Sequence, residues 1–216
     1  MERMAEIQHG PRALFTWIQM AIVYAFIECA LWSSSSVIRN RWAAIAALAV
    51  LVFVLMDRPS IQRLGLGLPS TVGASIVLAL SAAASVALIL AMLWLGGQID
   101  ESATLPNLYR SGGYVIWAFL QEFLLQSFFF TRCEELFGSS AAVWTAATLF
   151  AAAHLPSPIL MTLALVAGLF FCEMFRRYRS LYPLAIVHAV LGLTVAVTMP
   201  DSLMHHMRAG IGYLQY

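Results

Sequence analysis

The chain has 216 residues, of which 61% are hydrophobic and only 11% charged, and its mean hydropathy is +0.81. A soluble domain carries about 25% charged residues, so this composition excludes a soluble globular protein and calls for an all-α, polytopic transmembrane helix bundle. The formal net charge of +1 comes from twelve arginines with no lysine, scattered apart from Arg176, Arg177 and Arg179, which excludes nucleic acid as a partner.

In chain order, "MERMAEIQHGPRA" carries two Glu and two Arg ahead of the first apolar run, and no small-residue cleavage site follows that run. The run therefore reads as a retained span rather than a signal peptide. A spanning helix needs about 20 mostly apolar residues. Seven segments qualify or approach that length: 14–33, 42–56, 74–97, 113–131, 139–154, 158–175 and 182–199. The second and fifth are short. "RLGLGLPS" (63–70) is a Gly/Pro turn into the third, and "LPSP" (155–158) is a tight break after the fifth. No long linker divides the chain, so 1–216 reads as a single integral-membrane domain.

Arginine placement predicts the orientation. With seven spans, one side holds Arg3, Arg12, Arg58, Arg63, Arg132, Arg176, Arg177 and Arg179, and the other holds Arg39, Arg41, Arg110 and Arg208. The richer side is expected to be cytoplasmic, with the N-terminus on it, in the plasma (inner) membrane of a prokaryote. The three cysteines, Cys29, Cys133 and Cys172, are far apart and, with no CxxC, read as small packing residues.

Ionisable groups inside a bilayer cost several kcal/mol (roughly 2.5–3.5 for a central Asp) and face the bundle interior with partners. Within the spans they are Glu28, Glu122, His154, Glu173 and His188. Glu173 lies three residues before Arg176 and reads as a local ion pair; Glu28 reads as a carboxyl hydrogen-bonded between helices. Glu122, His154 and His188 form a set: one carboxylate and two imidazoles are the minimum for activating a water. Glu122 and Gln126 are four apart and share a helix face. Hydrogen-bonded packing residues are the bland alternative for the histidines. Zinc is disfavoured, since no HExxH helix fixes the geometry.

The order of these motifs resembles the CPBP intramembrane proteases, the group that includes type II CAAX prenyl endopeptidases and bacteriocin-processing or immunity proteins. That family carries EExxxR, then FxxxH, then HxxxN. The counterparts are "QEFLLQ" (121–126), "FAAAH" (150–154) and "HAVLG" (188–192), within a similar region of about 60–195. The resemblance implies intramembrane proteolysis of a membrane-associated peptide or protein in contact with lipid, with no cofactor and no metal. It implies Glu122 as base, His154 as the residue orienting water and His188 as oxyanion donor, supported by Gln121, Gln126 and Gly192.

Three positions depart from the pattern. The family's first Glu is Gln121, its Arg is Gln126 and its Asn is Gly192. Gln121 takes no proton at any useful pH, so either Glu122 serves as base or the chain is a non-enzymatic scaffold, chaperone or immunity protein on the same fold. A proton-coupled transporter is a third reading, suggested by Glu28 and Glu122, though no paired broken helices support it. "EELF" (134–137) reads as a solvated loop or helix start. At 1.5 Å per residue, Glu122 lies about 13 Å and His188 about 16 Å from the outer end of their spans, whereas His154 lies close to that end. A shared site therefore requires the "HLPSP" turn to be sunk into the bundle or the fifth helix to tilt, next to a polar cavity open to one side.

Overall fold

The computed structural model describes residues 10–94 and 108–215. The expectation for the N-terminal leader falls largely on residues outside that range, as do the last residues of the third expected span.

Helix α1 (Pro11–Leu31) begins on a proline at its first position, where the missing N–H costs nothing. Helix α2 (Ser36–Asp57) is capped by the Ser35 hydroxyl, which accepts from the Ile38 amide, and stops on Arg58 in the left-handed region at φ 46°. Helix α3 spans Thr71–Trp94, and α4 spans Leu108–Glu122. From α4 the chain runs on through a π-helical segment, Phe123–Phe130, into α5 (Thr131–Phe137). Helix α6 (Ser139–Ala152) leads through a turn at residues 153–157 to α7 (Pro158–Tyr178), which is followed by α8 (Leu181–Thr198). Two one-turn helices, α9 (Asp201–Met204) and α10 (Ile211–Leu214), close the described chain.

Six of these helical stretches are long and apolar enough to cross a membrane, with α4, the π segment and α5 counted together as Gly112–Phe137. The protein is an integral membrane helix bundle. The seventh expected span, α6, has 14 residues, a rise of about 21 Å against a hydrocarbon core of about 30 Å. Its shortness sets the depth of the turn that follows.

Lipid offers no hydrophobic drive for helices to associate, so close packing of small residues must supply it. Helix α3 buries Gly73, Val77, Ser81 and Ser85, one every four residues, and packs on α8. Helices α6 and α7 pack along Ala142, Ala146 and Ala147 on one side and Ala164 and Gly168 on the other. A Cβ at Gly168 would stand 3.2 Å from the Ala147 Cα, so glycine sets how near these two helices come. Large side chains such as Leu14, Leu90, Trp117 and Val166 are exposed on the outer surface.

The α6–α7 turn is held from its far side. The Gly210 amide donates to the Leu155 carbonyl at 2.6 Å. Met204 is buried beside Leu160 and Val195. Gly210, at φ +59°, lies so close to the Leu31 carbonyl that no side chain fits there. The chain after α8 thus folds back over the turn and the end of α1; within the turn Ser157 is buried while Leu155 stays exposed.

Candidate active site

Glu122, the last residue of α4, is 0% exposed, and so is Gln126. Both carboxylate oxygens of Glu122 are engaged. Gln126 Nε2 donates to Oε2 at 3.2 Å, and His188 Nδ1 of α8 lies 2.9 Å from Oε1. With Glu122 as a carboxylate, which only accepts, the His188 proton sits on Nδ1 and its Nε2 keeps a lone pair. The His188 ring stacks on Phe171 (centroids 5.3 Å apart, 18° between planes) and meets the edge of Phe150 at 5.9 Å. The imidazole is thereby fixed in position, tilt and tautomer.

His154 lies in the turn after α6. Its Nδ1 donates to the Phe150 carbonyl at 2.7 Å. A carbonyl only accepts, so Nδ1 carries the proton and Nε2 is free to accept. Phe150 also meets the His154 ring at 4.9 Å. The phenylalanine of FAAAH therefore stands between the two imidazoles and sets their spacing.

A half-open cavity of about 590 Å³ lies beside them. Gln121, His154, His188, Gly192 and Tyr114 line it, with Leu80, Ala84 and Leu88 of α3 and Leu163 and Val166 of α7 among its apolar walls. Glu122 and Gln126 do not line it. The cavity is mostly apolar, not the polar cavity expected from the sequence, because α3 and α7 present aliphatic side chains. A mainly apolar cleft with a few placed polar groups is the usual form of a small-molecule or chain-binding site.

The structure brings all three expected residues to one place, with different surroundings. His154 and His188 stand on the cavity wall, and Glu122 stands behind His188. Gln121 lines the cavity, Gln126 supports Glu122, and Gly192 lies one helical turn beyond His188. Simple vertical helices would have kept His154 away. The short α6 and the infolded turn supply the depth.

Two features were missed from sequence. One is the π-helical segment: its wider turn offsets the faces after Glu122 by about one residue relative to an α-helix, and no composition signal in "FLLQSFFF" marks it. The Ser127 hydroxyl pins it, donating to the Leu64 carbonyl at 2.7 Å. The other is Tyr114, seven residues before Gln121 and so on the same face of α4, a spacing that could have flagged it.

Glu173, Glu134, Glu135 and Glu28 each have a partner elsewhere. Glu173 pairs with Arg176 at 2.7 Å, as expected, and also with Arg177. Glu134 and Glu135 lie in helix α5, Glu134 in its first turn, which matches the helix-start alternative rather than the loop, and they pair with Arg179 and Arg63. Glu28 Oε2 accepts from Trp32 Nε1 at 3.0 Å, a local bond to the residue that caps the C-terminal end of α1 rather than one between helices. Among the described residues no three His, Cys, Asp or Glu side chains are grouped to hold a metal ion.

The family model described as type II CAAX prenyl endopeptidase Rce1-like matches residues 108–194. That segment runs from the start of α4 into α8 and contains Gln121, Glu122, His154, His188 and Gly192. No curated protein and no solved structure matches the chain.

Proposed function

We propose, from the match of residues 108–194 to the Rce1-like type II CAAX prenyl endopeptidase model, that the protein is an intramembrane endopeptidase in which Glu122 acts through His188. The observation that carries this reading is the Glu122–His188 hydrogen bond of 2.9 Å, with the carboxylate wholly buried and the imidazole on the cavity wall. A buried carboxylate behind an imidazole fixes the ring's tautomer and stabilises the imidazolium that forms when the ring takes a proton.

The reaction proceeds in two steps. A cavity water gives one hydrogen bond to His154 Nε2 and the other to His188 Nε2. Its oxygen attacks the peptide carbonyl carbon, His188 Nε2 takes the proton, and the carbonyl π pair moves onto oxygen. The Gln121 amide donates to that oxyanion. The C=O then re-forms, the C–N bond breaks, and the proton on His188 passes to the departing amine. The aliphatic walls from α3 and α7 suit a substrate with an apolar, lipid-borne portion, and a prenylated CAAX-type peptide is the substrate class we favour. The arginine-rich end faces the cytoplasm, with the N-terminus on that side.

The test is cleavage of a quenched-fluorescent S-farnesyl tetrapeptide by the full chain in detergent micelles. Wild-type protein should cleave it, and His188→Ala should not. Equal rates for the two would overturn the reading.

A second reading has its own observation. Gln121, an amide that cannot act as a base, stands on the cavity wall where the resembling family carries a carboxylate. On that reading the protein binds a chain in the cavity without cutting it. Peptide bound by wild-type protein and never cleaved would favour it.

A further inference from the structure

The departure at Gly192 has a physical counterpart on the neighbouring helix. A Cβ built at Gly192 would overlap the Tyr114 phenolic oxygen and stand 2.7 Å from Cζ and 3.0 Å from Cε1 of the same ring. The hollow that glycine leaves on α8 is therefore filled by a side chain from α4. Helices α4 and α8 pack directly on one another, so the phenol reaches across that interface. Gly192 lies four residues after His188, one turn along the same face, at a Cα separation of about 6 Å. Tyr114 shares the cavity wall with Gln121, His154 and His188, and no hydrogen bond ties its hydroxyl to another described residue.

We propose that Tyr114 is a further catalytic residue of this site, its phenolic O–H taking the place of the side chain absent at Gly192 and donating to the oxyanion formed on the attacked carbonyl. This rests on the peptidase reading. His154 and His188 both present Nε2 as acceptors before reaction, so neither imidazole is at first a donor to the developing charge. Gln121 supplies one N–H. A tetrahedral oxyanion is better held by two donors; Ser81 and Trp117 also line the cavity, but only the phenol fills the hollow at Gly192, one turn from His188. Its proton stays on oxygen throughout: the group stabilises charge and transfers nothing. The residue pair is reciprocal, because a larger residue at 192 would displace the phenol, and loss of the phenol would leave the hollow empty.

The experiment uses full-length protein in micelles and two ligands, an S-farnesyl tetrapeptide and its difluoroketone analogue, whose hydrated carbonyl mimics the tetrahedral intermediate. Tyr114→Phe keeps the ring and its packing and removes only the hydroxyl. It should lower kcat about 10²-fold at unchanged KM and weaken the difluoroketone by a similar factor, with the plain peptide bound within about twofold of wild type. Gly192→Asn alone should be as impaired, by collision with the phenol. Tyr114→Ala/Gly192→Asn, which puts a carboxamide donor into the vacated space, should recover at least tenfold over Gly192→Asn. Wild-type kcat and analogue affinity in Tyr114→Phe would overturn the proposal while leaving the peptidase reading intact. A wild-type protein that binds both ligands but cuts nothing would overturn the peptidase reading; Tyr114 would then count as an oxyanion donor only if Tyr114→Phe still weakened the analogue selectively. Wild-type protein that binds neither would overturn both.

Discussion

Two buried polar clusters lie ten residues apart on the α4–π–α5 stretch, and they are built on opposite principles. At Arg132 every face of the guanidinium is used. Nε donates to Gln19 Oε1 at 2.7 Å, Nη1 to the Phe128 carbonyl at 3.2 Å and Nη2 to Asp57 Oδ2 at 2.6 Å, and the plane lies 3.8 Å from the Phe128 ring centroid. Each of the three nitrogens donates once, and the cluster joins α1, α2 and α5. At Glu122 the carboxylate is saturated by Gln126 and His188, but the network ends on an imidazole whose second nitrogen meets a cavity. Gln126 Oε1 is buried without a partner among the described residues. A closed network holds helices together; an open one is available for chemistry. The difference teaches that burial of charge in this bundle does not by itself mark function. What marks it is a polar chain with a free end.

If that contrast is right, the largest effect should come from the open cluster and fall on activity rather than stability. Glu122→Gln should cut kcat by about 10³–10⁴-fold, by analogy with loss of the carboxylate behind a catalytic imidazole, with a melting temperature in micelles close to wild type. A large fall in melting temperature with residual activity preserved per folded molecule would make Glu122 a second structural cluster. Arg132→Ala should do the converse. Leaving Gln19 and the half-exposed Asp57 without their donor should destabilise the fold by about 1–3 kcal/mol, read from thermal unfolding, while the folded fraction keeps a normal kcat.

Gln121→Glu sharpens the comparison within the site. If His188 is the base and the Gln121 amide an oxyanion donor, a carboxylate at 121 removes that donor, and cleavage should fall about 10²–10³-fold. Cleavage that begins only in this variant would mean the wild-type site binds without cutting. The smallest effect is expected at Arg63→Ala. Its pair with Glu135 is about a third exposed on both sides, so its loss should cost at most about 1 kcal/mol and leave cleavage untouched.

Much of this was legible in sequence because a bilayer simplifies the problem. Apolar runs of 15 to 24 residues separated by arginine or Pro/Gly breaks can only be helices, and an acid or imidazole within them must face inward. That logic gave the helices, and it gave Glu122, His154 and His188 as the residues to watch. The "LPSP" break, with the Ser157 hydroxyl accepting from the Leu160 amide and Pro158 opening α7, was equally readable from local chemistry.

What the sequence alone determined was which side chains are dear to bury. What only the tertiary structure decided was how they are satisfied. The π-helical segment, the infolded turn under Gly210, the position of Glu122 behind His188 rather than on the cavity, and the seating of Tyr114 over Gly192 all depend on contacts between segments distant in the chain. Helix periodicity says which face a residue occupies. It does not say how deep a neighbouring turn reaches or whose side chain fills a glycine's empty place, because those are set by the close approach of helices whose separation no single segment encodes.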